Sequence, residues 1–375
     1  SMPSLAQDAR LGKSPQQHPC GGSELGHFGM LRFCLASITT ALLLALIVAA
    51  ADGDEAAAEH CAVGEGSGVA VEGCDARGSS LLHSLSHKLR MRQLITTESE
   101  DGKALLGSIG NAKLIIHKNS KVAQGEEGVF VIENPHGCSD EVLAGIEQHL
   151  VSISGQGSGH PVVLAHGDPK AGGLCGLVAQ GTLDDITAAM SEAADVIPAD
   201  TVVETDHDMS VPDEVPEPDD VEVGTVGVPW GLDRIDDETG LDEDYSPGLT
   251  GKDVHVYVFD TGVRTTHMQF GGRAIPTLEV LTWDPKECDA NDTSCALDRH
   301  GHGTHCAGTV AATDFGVARE ATIHAVKVLK DDGKGSFAMM VLGIDWVMRN
   351  GISPRVITAS LQGKGIFNSV TDSIT

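Results

Sequence analysis

The sequence predicts two successive α/β units: a small α+β domain over residues 126–206, then, over 228–375, the first part of a doubly wound parallel sheet. Three observations carry this. From Gly128 onward, apolar runs and amphipathic stretches follow one another in the order βαββαβ, the grammar of a split βαβ domain. Beyond residue 250, short β-branched runs alternate with helical stretches, which implies parallel strands joined by crossover helices. Between the two lies an acidic stretch over 207–227 whose composition suits neither.

The elements justify themselves in turn. Val129, Phe130, Val131 and Ile132 form a strand, and Ser139 caps a helix carrying Val142, Leu143, Ile146 and Leu150 on one face. Strands follow at 161–164 and 174–179. A second helix begins near Thr182 with Leu183, Ile186, Met190 and Ala194 aligned, and a strand at 201–204 closes the domain. From Glu204 to Asp244 there are sixteen acidic residues against one basic, Arg234, and Pro212, Pro216 and Pro218 mark a solvated linker. Past it, 254–259 is an apolar strand ending on Asp260-Thr261-Gly262. A polar, turn-rich segment at 283–297 leads to a helix opening at His302. Next come a strand at 322–329, a loop at 331–336, a helix carrying Met340, Val341, Ile344, Trp346 and Val347, and a strand at 356–361.

The amino-terminal third is less regular. Met30 begins a short basic start and an apolar run through Ala51, which reads as a signal peptide or, uncleaved, as a signal anchor; residues 1–29 read as an upstream extension. Residues 52–125 form a mixed pro-region in which Leu81, Leu82, Leu85 and Leu89 fit a short amphipathic helix and 114–116 a strand. A net charge of −29 argues against nucleic acid or an anionic membrane surface as partner, so a membrane enters only if 31–51 persists as an anchor. The aromatic share is 3%, so cores must be built from Val, Leu, Ile and Ala.

The chemistry concentrates in two motifs about forty residues apart. A carboxylate at the carboxyl end of a strand, Asp260, lies where open α/β sheets hold their ligands. An imidazole on the first turn of a small-residue helix, His302 in Arg299-His300-Gly301-His302-Gly303-Thr304-His305-Cys306-Ala307-Gly308-Thr309-Val310, can meet it there. In these motifs, and in Val228-Pro229-Trp230-Gly231-Leu232-Asp233-Arg234-Ile235, His267, Phe270-Gly271-Gly272-Arg273 and Val326-Lys327-Val328-Leu329, the chain resembles the subtilisin-like serine peptidases (subtilases), nearest the proteinase K branch.

The resemblance implies a secreted serine endopeptidase acting on polypeptide substrates through an Asp-His-Ser triad, with Asp260 orienting and His302 as general base. It implies that the ferredoxin-like domain at 126–206 is a self-inhibiting propeptide, removed by cleavage between Thr205 and Gly227, and that Trp230 anchors the mature amino terminus. The family's Gly-Thr-Ser-Met-Ala-like turn does not occur in these residues, so the fragment by itself is expected to be inactive; an inactive relative serving as an inhibitor or binding module is the alternative.

Substrate would pair as a strand with edges at 333–337 and 360–363, which makes Gly335, Ser336, Ser360, Leu361 and Gly363 candidate substrate contacts. Gln362-Gly363 stands where the family has Gly-Gly, placing a side chain beside the primary pocket, and Lys364-Gly365 is also atypical. No catalytic cofactor is implied and no metal ligand is expected: His302 and His305 lack the intervening glutamate of a zinc site. Structural calcium has oxygen donors at Asp289, Asp292, Asp331 and Asp332, for each of which a solvated turn acid is the simpler account. Of nine cysteines, Cys288 and Cys295 can close a local disulfide, and Cys306 matches the family's free thiol beside the histidine. Cys61, Cys74, Cys138 and Cys175 are left unassigned.

Overall fold

The computed structural model describes residues 62–63, 71–72, 88, 91, 93–99, 102–153, 161–212, 227–236 and 239–363. The upstream extension, the signal or anchor segment, the leucines of the 81–89 helix, most of the acidic linker and Lys364-Gly365 lie outside the described residues. The chain divides into two units, Ser1–Leu81 and Leu82–Thr375. In the first, Ala62–Val63 pairs antiparallel with Val71–Glu72. All other described strands and helices lie in the second.

Its first sheet has seven strands, with two helices on one face. They are β1 (Ile95–Glu98), β2 (Ala104–Ile109), β3 (Ala112–His117), β4 (Gly128–Glu133), α1 (Asp140–Ile153), β5 (Val162–His166), β6 (Gly176–Gly181), α2 (Leu183–Glu192) and β7 (Val202–Thr205). The spatial order is β1-β2-β3-β7-β4-β6-β5. Its β7-β4-β6-β5 portion is antiparallel throughout, with the strand order of a split βαβ domain. The sheet does not begin at 126, however: β3 pairs in parallel with β7 and brings in β1 and β2 from the region read as mixed. Leu114 and Ile116 share the helix-side core with Phe130, Ile132, Ile146, Ile186 and Val203. Gly110-Asn111 is a two-residue hairpin signal between β2 and β3, but no local pattern joins β3 to a strand nearly ninety residues downstream. A disulfide links Cys138, before α1, to Cys175, before β6.

Val129 to Ile132 is apolar without alternation because both faces of β4 are covered. Phe130 and Ile132 face α1 and α2, whereas Val131, with Val178 of β6, packs into a second core shared with the downstream sheet.

That sheet contains β9 (His255–Asp260), β10 (Ala274–Glu279), β11 (Lys286–Glu287), β12 (Thr322–Lys327) and β14 (Arg355–Thr358), in the order β11-β10-β12-β9-β14. Strands β10, β12, β9 and β14 are parallel, and β11 is an antiparallel edge. Along β9 the side chains alternate. Val256 and Val258 meet Ala307 and Ala311 of α4 (His302–Ala311) on one face. Tyr257 and Phe259 meet Val341, Ile344 and Val347 of α5 (Phe337–Asn350) on the other. Helices on both faces make the sheet doubly wound, and the strand order reverses around β9. Cys288 and Cys295 form a disulfide in the turn-rich segment before α4.

Ahead of this sheet, α3 (Trp230–Asp236) differs from expectation: Trp230 is 76% exposed and does not anchor the segment. Leu232 and Asp233 are buried instead, and the Asp233 carboxylate accepts from Asp242 N and Glu243 N, so a side-chain cap takes the anchoring role. Among the described residues no helix is long and apolar enough to cross a membrane.

The sheet also buries His324, on β12, which is 5% exposed and stacks on Tyr257 at 4.4 Å. Its Nδ1 meets Thr277 Oγ1 at 3.0 Å and its Nε2 meets His255 Nδ1 at 2.8 Å. Burial, with His255 beside it, pushes the imidazole down from its ordinary value to about 4. Between that value and the 6.5 of an exposed histidine the unfolded chain binds the extra proton, so stability present above pH 6.5 is lost as pH falls toward 4. Denaturant unfolding at pH 7 and pH 4.5 should show this loss, with His324 supplying at most ~3 kcal/mol. In His324→Phe, which keeps the stacking, the difference between the two pH values should shrink.

Candidate active site

Asp260 is the last residue of β9 and is fully buried. A buried carboxylate needs donors. Thr261 N donates to Oδ1 at 2.7 Å, and His302 Nδ1 lies 2.8 Å from Oδ1 and 2.9 Å from Oδ2. An ionised carboxylate can only accept, so the proton sits on Nδ1 and the Nε2 lone pair is left free. The His302 side chain is 24% exposed, so this pair joins the interior to solvent.

Close approach of α4 to the Asp260 turn makes the bond geometrically available. Gly303 sits against that turn: a Cβ there would lie 2.2 Å from Gly262 O and 3.0 Å from the Asp260 Cβ. Only glycine allows the contact. Gly303 N donates to Thr261 Oγ1 (3.0 Å), whose hydroxyl donates to Asp298 Oδ1 (2.9 Å). Asp298 also accepts from His300 N and Gly301 N at Oδ1, and from Thr304 N and Thr304 Oγ1 at Oδ2. Burial pushes this carboxyl up, but those bonds, Gly301 N first among them, hold it below the ordinary range. Asp298 is therefore a specific cap for α4 and a brace for Thr261, more than an acid in the helix dipole. Lys327, fully buried at the end of β12, donates through Nζ to the Thr261 carbonyl and pairs with Asp331 at 2.9 Å.

Cys306, one turn along α4, is free, with Sγ 3.8 Å from His302 Nδ1 and 3.9 Å from Nε2. Burial pushes its thiol up, against a hydrogen bond with Ser360. Asp289 and Asp292 accept from backbone N–H groups within their own turns, and Asp331 pairs with Lys327.

The expected substrate edges lie beside this pair, and a segment of the same chain lies between them. Strand β8 (Asp208–Ser210) pairs antiparallel with β13 (Lys334–Ser336) on one side and β15 (Gln362–Gly363) on the other, with Met209 opposite both Gly335 and Gly363. Gly335, Ser336 and Gly363 thus meet at β8, Ser360 lies by Cys306, and Leu361 packs at the edge of the α5 core. Val211 N donates to Gly333 O at 2.9 Å. Gln362, the departure from the family pattern, donates its side-chain amide to Val211 O at 3.3 Å, so it grips the strand in the cleft.

Two residues before β8, Asp206 Oδ1 accepts from Ala338 N at 2.9 Å, capping the start of α5, and His207 O accepts from Phe337 N. Burial pushes the Asp206 carboxyl up to about 6, with the Ala338 bond opposing it. Asp206 went unnoticed in the sequence, and Thr261 and Lys327 stood in the motifs quoted above with no role of their own. Asp-x-Asp ahead of an edge strand is the one local signal for the first.

Residues 251–373 match the model of the subtilase family. The chain is 43% identical over 135 residues to an extracellular serine proteinase of Thermus sp. (strain Rt41A), covering 36% of this chain and 31% of that protein. It is 40% identical over 135 residues to an alkaline serine exoprotease A of Vibrio alginolyticus, covering 36% and 24%. A crystal structure of a cold-adapted subtilisin-like serine proteinase is 38% identical, covers 35% of this chain and 45% of that one, and superposes with a TM-score of 0.31. The chain thus spans about a third or less of the length of these two curated relatives.

Two outcomes follow from the packing. Gly303→Ala should force α4 off the Asp260 turn and destabilise the fold by ~1–3 kcal/mol in denaturant titration, the range for overpacking. Asp206→Ala should loosen the 206–211 segment by ~1 kcal/mol, seen as faster amide exchange there, while Asp206→Asn, which retains an acceptor, should lose only part of that.

Proposed function

Because residues 251–373 are a subtilase-family segment, we propose that the whole protein is a secreted serine endopeptidase made as a zymogen. In this reading Asp260 and His302 serve a serine nucleophile and an oxyanion-hole residue carried elsewhere in the protein, and these 375 residues alone are inactive. The observation that carries it is the 2.8 Å bond from His302 Nδ1 to a fully buried carboxylate, beside a cleft whose two edges pair with one extended strand.

Asp260 fixes the tautomer and orientation of His302 and stabilises its cation. Nε2 removes the serine hydroxyl proton as the oxygen attacks the scissile carbonyl, then delivers it to the leaving amine. Peptide substrate binds by adding a strand between β13 and β15, where main-chain bonds supply affinity and side-chain pockets supply choice.

The strand β8 occupies that position in the manner of a substrate, with Met209 buried at 3% exposure. The domain before it docks its sheet face on α5 and delivers the strand, which supports an inhibitory propeptide released by cleavage between Thr205 and Gly227. Export follows from the signal-like run at 30–51 and agrees with the extracellular relative. A second reading, a non-catalytic relative that keeps its cleft closed, draws on the Gln362 amide holding Val211 O.

The test uses the complete gene product made in a secretory host. A fluorophosphonate probe should label one serine after the amino-terminal domain is shed, and Asp260→Asn should lower kcat/KM by about 10⁴, with His302→Ala lower still. Equal labelling and turnover in the His302 variant would remove the peptidase reading. An active form with 126–206 still covalently attached would remove the propeptide reading alone.

A further inference from the structure

Away from the Asp260–His302 pair, three residues with metal-binding side chains meet inside the first domain. His117 ends β3, Glu204 lies on β7, and His207 follows in the segment that leads to β8. They are 0%, 0% and 6% exposed, and one ligand atom from each falls within 4.8 Å of the others. His117 Nε2 is 2.7 Å from Glu204 Oε1, and the two imidazole rings lie 4.1 Å apart between centroids. His117 Nδ1 is buried with no hydrogen-bond partner among the described residues. The His207 ring stacks on Phe337 at 5.0 Å.

A single His–Glu hydrogen bond satisfies a buried carboxylate without help from another imidazole. Here a second ring, from His207 three residues beyond Glu204, reaches the same point as the His117 ring of another strand, so three donors from two stretches of chain converge on one centre. Two imidazole nitrogens and one carboxylate oxygen are the donor set of zinc and its borderline neighbours, not of calcium or magnesium. A cleft of about 820 Å³, lined by Ser120, Asp206, His207 and Asp208 among others, reaches the His207 member of the group.

The geometry points to a binding site for a divalent transition cation of the zinc class, held by His117, Glu204 and His207. In the metal-free chain the His117 Nε2–H donates to Glu204. Coordination through Nε2 moves the neutral ring to the tautomer protonated at Nδ1, with no net change in protons, and opens the 2.7 Å Nε2–Oε1 contact to the ~3.3 Å that a tetrahedral centre requires. The site ties β3 and β7 to the residue that precedes β8. Its effect on the cleft rests on the propeptide reading above: an occupied site clamps the 206–211 strand in place.

The full 375-residue chain, freed of metal, should bind one equivalent of Zn²⁺ by calorimetry, and Co²⁺ should give the visible absorption of a four-coordinate N/O centre. X-ray absorption of the Zn²⁺-loaded wild type should show a shell at ~2.0–2.2 Å with imidazole scattering from two rings and no sulfur at ~2.3 Å. His117→Asn and Glu204→Gln should each weaken Zn²⁺ binding more than a hundredfold, with far-ultraviolet circular dichroism verifying that they fold, and Cys306→Ser should leave it unchanged. A shell containing sulfur, which places the ion on the Asp260–His302–Cys306 group or another thiol, overturns the site. So do a shell without imidazole and equal binding by wild type and both variants. Zn²⁺ should slow amide exchange over 206–211 at least tenfold; binding with the expected shell but unchanged exchange there overturns the clamp and leaves the site standing.

Discussion

A carboxylate with no solvent exposure at the end of a parallel strand is the constraint around which the downstream half is arranged. Asp260 cannot be held ionised in an apolar sheet unless donors reach it, and these donors come from places that must be brought close. Thr261 N is supplied by the turn itself, and His302 by a helix that approaches only because Gly303 has no side chain. Each donor has its own support. Asp298 gathers Thr261, Gly301 and Thr304 into one network, and Lys327 reaches from the neighbouring strand to the Thr261 carbonyl. The imidazole orientation is thus determined by four elements at once, and its outward nitrogen points from a rigid base.

The cleft beside it follows a second constraint, that a strand edge exposes backbone groups which must find partners. Strands β13 and β15 are three and two residues long, too short to stabilise each other across a gap, and β8 joins them into a sheet. The joining strand is delivered by the first domain, whose last long strand, β7, ends three residues earlier. Between the two, Asp206 caps α5 and the His207 carbonyl takes a second α5 amide, so the segment is fixed at its entry before it pairs along its length.

Much of this could be read from the residues, for identifiable reasons. Asp260 and His302 were visible because a strand-end acid and a glycine-flanked histidine are local patterns, and the alternation of strands and helices gave the doubly wound sheet. The two helices of the first domain were visible from their apolar faces, and the second begins where it was read, with Thr182 as its cap. What escaped was whatever depends on pairing across long separations. Strand β3 joins the sheet through β7, about ninety residues on, and His117 meets Glu204 at a separation of 87. Trp230 misled because aromatic residues near a domain start suggest anchoring, whereas here the neighbouring Leu232 and Asp233 turn inward. Gln362 read as an obstruction because sequence gives its identity and not its direction; its amide faces the Val211 carbonyl.

Helix α5 is where these separate constraints become one. Its apolar face closes the core beneath Tyr257 and Phe259, and the same cluster takes in Val131 and Val178 from the first sheet and Met209 from the strand in the cleft. Its amino terminus donates Ala338 N to Asp206 and stacks Phe337 on His207, itself in ring contact with His117 deep in the first domain. Withdrawing β8 therefore cannot be a local event at an exposed edge. It uncovers Met209, removes the acceptors at the start of α5, and pulls on the His207 ring packed between the two halves. Short strands with few main-chain bonds can in this way be held firmly, because the contacts that resist their departure lie in a core rather than along the strands.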